Sequence, residues 1–178
     1  LIVVEGYMDV ISLAEVGMSN AVAPLGTALT EGQIRELWKF STEPIICFDG
    51  DSAGMRAAVR ACDRLLPMLE PGFSARFASL PPGEDPDDIV RRGGANKFRE
   101  LLESSTGLSD FFWETEQSNG SLDTPEKQAA FFKRIRKRVG EIKNQTVREA
   151  YKDSIEAKII NFRASMRAVT SGMAGPYY

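Results

Sequence analysis

The sequence predicts an α/β protein in which an open parallel sheet carries helices on both faces and is followed by a small all-helical subdomain. Short apolar runs rich in β-branched residues alternate with helix-like runs over residues 1–107, and only helical patterns follow over residues 108–178. Strands that alternate with helices are typical of a parallel sheet, because each crossover helix packs back onto a sheet face. We therefore divide the chain at residue 107.

Four strands and four helices are predicted in the first part. The strands are Leu1 to Val4, Ala21 to Ala23, Ile45 to Phe48 and Phe73 to Ala78. The helices are expected near residues 8–17, 30–41, 53–69 and 95–104. In an open parallel sheet, ligands bind at the carboxyl ends of the strands. The residues that follow each strand are therefore the candidates for a functional site.

The second part shows helical signals only. Thr124 and Pro125 form a helix start, with threonine as the N-cap and proline at the first helical position. The apolar residues of one helix face then follow at Phe131, Ile135, Val139 and Ile142. The basic run Lys133 to Arg138 is interpreted as a solvated face rather than a nucleic-acid patch. A second amphipathic helix is expected from Val147 to Met166, and the tail from Ser171 to Pro176 is expected to be flexible.

Composition narrows the class of protein. The chain has 178 residues, no initiator methionine, no histidine and two cysteines, and Leu1 already lies in the first predicted strand, which suggests truncation. No apolar run approaches the roughly 20 residues of a membrane span, so a soluble cytoplasmic protein is expected. Cys47 and Cys62 are interpreted as buried thiols. Without imidazole, carboxylates and metal must carry any chemistry.

The two parts of the chain, residues 1–107 and 108–178, differ in net charge. Residues 1–107 hold 10 basic and 16 acidic side chains, a balance of −6, whereas residues 108–178 have a balance of +3. An acidic half repels a polyanion unless cations intervene. Any nucleic acid bound near this half must therefore be held by basic surface elsewhere or by metal ions.

The most informative motif is Asp49-Gly50-Asp51, directly after the predicted strand Ile45 to Phe48. In an extended backbone the two carboxylates point to the same side, and the glycine lets the chain approach a ligand closely. Such a pair suits Mg²⁺, which takes oxygen ligands and bridges carboxylates to substrate phosphates. The alternative interpretation is a turn between strand and helix, with Asp51 or Ser52 as N-cap.

Three further segments accompany this motif. Glu5 follows the first strand, and Asp9 lies one helical turn later, so that both can face the same sheet edge. The loop Ala23 to Thr30 either presents backbone N–H groups to phosphate or is simply tight. The loop Leu80 to Val90 is rich in carboxylates, although it could also be a solvated turn in which Asp87 or Asp88 starts a helix.

Together these segments resemble the Toprim domain, and most closely that of bacterial DnaG-type DNA primases. The motifs that carry the resemblance are Glu5-Gly6-Tyr7-Met8-Asp9-Val10, Leu25-Gly26-Thr27, Asp49-Gly50-Asp51 with Ala53-Gly54, and Gly83-Glu84-Asp85-Pro86-Asp87. The resemblance is strong over residues 1 to about 107 and weaker beyond. Resemblance also implies that a zinc-binding domain and a basic subdomain precede this segment, and that a helicase-binding domain follows it.

The resemblance implies a catalytic cluster of six carboxylates. Glu5, Asp9, Asp49 and Asp51 are the expected catalytic residues, and the expected ligands of Mg²⁺ or Mn²⁺ are Glu5, Asp49, Asp51, Asp85 and Asp87. Glu5 is either a ligand or a proton-transfer group, and Asp9 completes or orients the site. Gly26 and Thr27 are candidates for phosphate binding. Zinc is expected only in the preceding domain.

The activity implied is that of a nucleotidyltransferase, a DNA-directed RNA polymerase of the primase type. It would join ribonucleoside triphosphates into short RNA primers on single-stranded DNA, at the replication fork and beside the replicative helicase. Two alternatives stay open at this point. One is a Toprim nuclease or topoisomerase that cleaves phosphodiesters, and the other is a nucleotide-binding module without catalysis. Retention of all six carboxylates disfavours the second, because clustering like charges costs stability.

Overall fold

A computed structural model of the chain describes residues 1–24 and 28–172, with side chains as far as Met166. Its centre is a sheet of five two-residue strands: β1 (Ile2–Val3), β2 (Ala21–Val22), β3 (Ile45–Ile46), β4 (Arg76–Phe77) and β5 (Thr106–Gly107). Their order across the sheet is β2-β1-β3-β4-β5. The first four strands are parallel, and β5 pairs antiparallel with β4. The predicted α/β class with a mainly parallel sheet is confirmed.

Within the described residues, seven α-helices accompany the sheet, and a short 3-10 helix (Leu66–Met68) extends the third of them. The first four α-helices are α1 (Tyr7–Glu15), α2 (Glu31–Phe40), α3 (Ser52–Leu65) and α4 (Pro86–Glu103). The last three are α5 (Leu108–Ser118), α6 (Pro125–Val139) and α7 (Gln145–Gly172). The predicted helix start at Thr124 is confirmed, since its side chain accepts a hydrogen bond from the Lys127 amide at 3.3 Å.

The largest differences from the prediction concern β5 and α4. Strand β5 was not predicted, because Thr106 and Gly107 are not part of an apolar run like those that contain β1 to β4. Helix α4 begins at Pro86, well before the predicted start at residue 95, because Asp85 is its N-cap. Gly94, with φ of 68°, interrupts the helical backbone. The predicted helix over 95–104 is thus only the part beyond that interruption.

A hydrophobic core joins the sheet to the later helices. Phe77 of β4 stacks on Phe111 of α5 with ring centroids 3.9 Å apart. The predicted apolar face of α6 lies in the same core, because Phe131 and Ile135 are fully buried in the cluster that also contains Val3 of β1. The division at residue 107 stays a prediction about domains, since both parts contribute to this core.

A buried ion-pair network fixes α6 to its neighbours. Glu116 of α5 is only 6% exposed and binds Arg134 at 2.6 Å and Arg138 at 2.7 Å. Arg138 also contacts Asp63 of α3 at 2.5 Å. The basic run Lys133 to Arg138 is therefore not simply solvated, because these two arginines hold α5, α6 and α3 together.

Three smaller predictions concern the cysteines, the C-terminal tail and membrane spans. Cys47 and Cys62 are buried free thiols, as predicted. Helix α7 extends to Gly172, so the first two residues of the predicted flexible tail are helical, and the rest of that tail lies outside the described residues. None of the helices in the described ranges is long and apolar enough to cross a membrane.

Candidate active site

The sheet order brings Glu5 and Asp49 together. Glu5 follows β1 and Asp49 follows β3, and these two strands are direct neighbours. The Asp49 backbone N–H donates a hydrogen bond to Oε1 of Glu5 at 3.2 Å. Residues separated by more than forty positions in the chain thus meet at the carboxyl edge of the sheet, where the parallel topology predicts a site.

Packing of α1 against α4 brings Asp9 close to Asp87. Asp9 is 7% exposed, and its Oδ2 accepts a hydrogen bond from the Gly6 amide at 3.1 Å at the start of α1. Ser12, one turn further along α1, donates its hydroxyl to Oδ1 of Asp87 at 2.5 Å. Arg91 binds the same oxygen at 2.9 Å. The Asp87 carboxylate is therefore held from both helices.

Gly50 joins the Asp49 loop to the acidic loop before α4. Its amide donates to the carbonyl of Glu84 at 2.9 Å, and its carbonyl accepts from the Gly83 amide at 2.9 Å. A Cβ atom at position 50 would lie 2.0 Å from the carbonyl oxygen of Pro81. The glycine was expected to permit close approach of a ligand. Here it permits close approach of the neighbouring loop, which places Asp85 beside Asp49.

Asp51 and Asp85 both act as helix N-caps. Oδ1 of Asp51 accepts from the amides of Ala53 at 2.8 Å and Gly54 at 2.7 Å, and Oδ1 of Asp85 accepts from the Asp88 amide at 2.7 Å. The capping alternative for Asp51 is thus right about the local structure. For the second loop, the cap is Asp85 and not Asp87 or Asp88. Capping uses one oxygen of each carboxylate, so it is compatible with a ligand at the other oxygen.

The electrostatics single out Asp49. Burial, reinforced by the Glu5, Asp9, Asp85 and Asp51 carboxylates, raises the pKa of Asp49 to about 7. Burial also raises the pKa of Asp9, with the Asp85 and Asp87 carboxylates adding to the effect and backbone amides opposing it. Each of the six predicted carboxylates therefore interacts with at least one other. The structure brings them into one cluster, while their assignment as metal ligands stays a prediction.

One atom of this cluster has no partner. Oδ1 of Asp49 is buried and accepts no hydrogen bond from any of the described residues. A buried polar atom without a hydrogen-bond partner destabilises the folded state. In native structures such an atom commonly indicates an ion or water that completes the site. The orphaned oxygen is thus the observation that most directly favours a bound cation.

The donor set fits a hard divalent ion. The cluster offers carboxylate oxygens and no thiolate, because burial, reinforced by Asp9 and Asp49, raises the pKa of the neighbouring Cys47 thiol to about 12 and keeps it protonated. Within residues 1–24 and 28–172, no three acidic or cysteine side chains form a ready-made set of ligands for one ion. Mg²⁺ does not require one, since it keeps several waters and is commonly bound by one or two carboxylates plus substrate phosphates.

Two predicted residues lie outside the described part of the chain, and one residue at the site was not predicted. Gly26 and Thr27 lie outside the described residues, so their proposed phosphate binding stays a prediction. Ser12 was not predicted, although it touches Asp87 directly. Its position three residues after Asp9 places it on the same helix face, and that spacing could have identified it.

Comparison with known proteins gives two family matches. Residues 2–90, half of the chain, match the Toprim-like family, and residues 109–159 match the DnaB-helicase binding domain of primase. The second match lies inside the chain, whereas the sequence analysis expected helicase binding in a further domain. A DNA primase from Rickettsia conorii is 35% identical over 177 residues, covering 97% of this chain and 30% of that protein.

Solved structures show the same relationship. A DNA primase domain from Pseudomonas aeruginosa has a TM-score of 0.82 and 37% identity, covering 88% of this chain and 49% of that one. A DnaG primase catalytic domain bound to single-stranded DNA has a TM-score of 0.80 and 36% identity, covering 88% of this chain and 51% of that one. The chain spans about half of these solved structures and less than a third of the Rickettsia relative.

Proposed function

The chain belongs to the Toprim-like family and, within it, to the DnaG-type primases, and from that premise we propose that it forms the metal-dependent catalytic part of a primase. The reaction is attack of a 3′-hydroxyl on the α-phosphate of an incoming ribonucleoside triphosphate, with release of pyrophosphate. Repetition of this step on a single-stranded DNA template produces a short RNA primer.

The buried, unpartnered Oδ1 of Asp49 carries this proposal. A scaffold gains nothing from a carboxylate that lacks a partner and is surrounded by other carboxylates, because the arrangement lowers stability. A site that binds a cation, by contrast, needs a carboxylate oxygen that is free to coordinate the ion. The raised pKa of Asp49 is the expected property of such a site before the cation enters.

The roles of the six carboxylates follow from their environments. Asp49, Asp51, Asp85 and Asp87 would hold Mg²⁺, or Mn²⁺ in its place, with Glu5 as a further ligand or a proton-transfer group beside Asp49. The bound cation supplies charge neutralisation at the triphosphate and a lower pKa for the attacking hydroxyl. Asp9 orients the cluster from α1, and Ser12 fixes the rotamer of Asp87.

The partners are proposed on the same basis. The solved relative bound to single-stranded DNA supports a single-stranded template, and the match of residues 109–159 supports contact with a replicative helicase. Ribonucleoside triphosphates and the RNA primer follow from the reaction itself. Such an enzyme works in the cytoplasm at the replication fork.

A primer-synthesis assay on single-stranded DNA tests the proposal, with the full-length protein, Mg²⁺ and labelled ribonucleotides. Asp49→Asn keeps the shape of the side chain and removes the charge that would bind the cation. We expect it to lower the rate by at least about a hundredfold, the scale seen when an electrostatic catalytic group is lost.

The matched control is Asp153→Asn, which makes the same chemical change at an exposed position of α7. It should leave the rate unchanged. Equal primer synthesis by Asp49→Asn and wild type would exclude Asp49 from the catalytic centre. Cleavage of labelled DNA in place of primer synthesis would favour the nuclease alternative.

A further inference from the structure

A cavity lies beside the acidic cluster, on α3. It encloses about 200 Å³ and is lined by Glu5, Ala28, Phe48, Ala57 and Arg60, among others. Of the six clustered carboxylates, only Glu5 reaches it. Glu5 therefore belongs both to the cluster, through its bond with the Asp49 amide, and to this cavity.

Arg60 brings into this cavity a guanidinium group that is not paired with any side chain of the described part of the chain. No hydrogen bond or ion pair to its guanidinium is formed within residues 1–24 and 28–172, and the side chain is exposed. Three other arginines of residues 1–107 already have partners. Arg91 pairs with Asp87, Arg92 pairs with Glu84, and Arg64 donates to the Leu29 carbonyl.

The chemistry of the cavity suits a phosphate group. A guanidinium offers several donors in a planar fork that matches phosphate oxygens, and it stays charged at every physiological pH. The small side chains of Ala28 and Ala57 also line the cavity. An apolar ligand would cover the Arg60 guanidinium without giving it a partner, which disfavours such a ligand.

We propose that Arg60 binds the terminal phosphates of the incoming nucleoside triphosphate, the part that is released as pyrophosphate. This inference rests on the proposed function and adds a binding residue to it. The α-phosphate must lie at the carboxylate cluster, where the cation would be held. Because Glu5 borders both spaces, a triphosphate placed there can extend from the cluster into the Arg60 cavity. The arginine then offsets charge that the acidic cluster would otherwise repel.

Binding of inorganic tripolyphosphate to the chain in the presence of Mg²⁺ tests this assignment by calorimetric titration. We expect Arg60→Gln to weaken binding about tenfold, the scale of one lost charge-assisted hydrogen bond. Arg60→Lys keeps the charge without the fork and should lose less, and it serves as the second variant if the glutamine side chain disturbs folding. Arg99→Gln, at an exposed position of α4, makes the same charge change and should bind as the wild type does.

The outcomes separate this inference from the proposed function. Equal tripolyphosphate binding by Arg60→Gln and wild type, or no binding by the wild type, would overturn the inference. A single-stranded oligonucleotide serves as a second probe. If Arg60→Gln weakened only oligonucleotide binding, Arg60 would belong to a nucleic-acid backbone site, and the inference would also fail. Wild-type binding of Mg²⁺ alone, measured in the same series, reports on the proposed function independently.

Discussion

At the scale of single residues, Asp49 is the position where burial and neighbouring charge act together. Its pKa of about 7 lies well above the ordinary value of 3.8, because burial and four nearby carboxylates disfavour the ionised form. Ionising this side chain therefore costs folding free energy when no cation is bound. The same cost becomes a driving force for cation binding, because a divalent ion relieves it.

This cost predicts a pH dependence of stability in metal-free buffer. A carboxyl group whose pKa is raised by folding stabilises the folded state at low pH, and this contribution is lost as pH rises through the folded pKa. The free energy of unfolding should therefore fall between about pH 4 and pH 7. Solvent screening at this half-buried position limits the loss to about 1–2 kcal/mol. Urea denaturation at several pH values with a chelator present measures it.

The Asp49→Asn variant isolates the contribution of this side chain. It should be more stable than the wild type at pH 8 without metal, and its stability should change less over the same pH window. Asp153→Asn should follow the wild-type curve. A wild-type stability that is flat or rises between pH 4 and pH 7 would contradict the assignment of a raised pKa to Asp49.

A second prediction at this scale concerns Gly50. Alanine at this position would place its Cβ atom 2.0 Å from the Pro81 carbonyl oxygen, so the two acidic loops would have to separate. We expect Gly50→Ala to lower the free energy of unfolding by about 1–3 kcal/mol, as overpacking does in other cores. It should also weaken cation binding, since Asp49 and Asp85 would move apart.

Gly32→Ala is the matched control for this substitution. Gly32 lies in α2, and its nearest neighbour beyond the helix backbone would be 4.0 Å from the new atom. Alanine there should be neutral or stabilising, because alanine favours the helix more than glycine does. Thermal melts of both variants separate a local clash from a general effect of adding a methyl group.

At the scale of elements, the helices are held in place by contacts that link distant parts of the chain. Glu116 on α5 binds Arg134 and Arg138 on α6, and Arg138 reaches Asp63 on α3. Helix α3 begins at the N-cap Asp51, so the same network supports one of the elements that carry the site. The later helices thus contribute to the position of the carboxylate cluster through packing.

Breaking this ion-pair network should lower the free energy of unfolding. Glu116→Gln removes a buried carboxylate that pairs with two half-buried arginines, so that Arg134 loses its charged partner and Arg138 keeps Asp63, and we expect a loss of about 3 kcal/mol in the free energy of unfolding. Glu36→Gln removes an exposed pair with Lys39 and should cost less than about 1 kcal/mol. Chemical denaturation of the two variants makes the comparison. Equal small effects would show that the Glu116 contacts do not stabilise the fold.

The elements also show which features a sequence can reveal. Strands β1 to β4 and helices α1 to α3 follow from apolar periodicity and caps, which are local properties. The contact between Ser12 and Asp87 depends on how α1 packs against α4, and the role of Gly50 depends on the approach of a loop thirty residues away. Such pairings arise from tertiary structure, and no local pattern specifies them.

At the scale of the whole molecule, the sheet-containing part and the helical part of the chain differ in net charge. Residues 1–107 have a balance of −6 and residues 108–178 a balance of +3. Much of the positive charge in the second part is used within the molecule, since Arg134, Arg136 and Arg138 all form ion pairs. A polyanionic template is therefore weakly attracted to this chain by itself.

This balance predicts that the chain alone makes primers inefficiently, even with cation and ribonucleotides. Misplacement of reacting groups by about 1 Å can cost roughly a hundredfold in rate, so loose template binding is insufficient. A longer form that includes the basic segment expected upstream should restore both DNA binding and activity. A primer-synthesis assay compares the two forms. Robust synthesis by the chain alone would show that template positioning is built into these residues.

Calorimetric titration of the chain with Mg²⁺ and Mn²⁺ tests the central claim most directly, because that claim is that the clustered carboxylates bind a catalytic cation. The wild type should bind both ions, with Mn²⁺ the tighter, and saturation should raise the melting temperature through linkage. Asp49→Asn should lose at least about tenfold in affinity, whereas Asp153→Asn should bind normally. Absence of divalent-ion binding to the wild type, or equal binding by Asp49→Asn, would contradict the assignment of this cluster to metal binding.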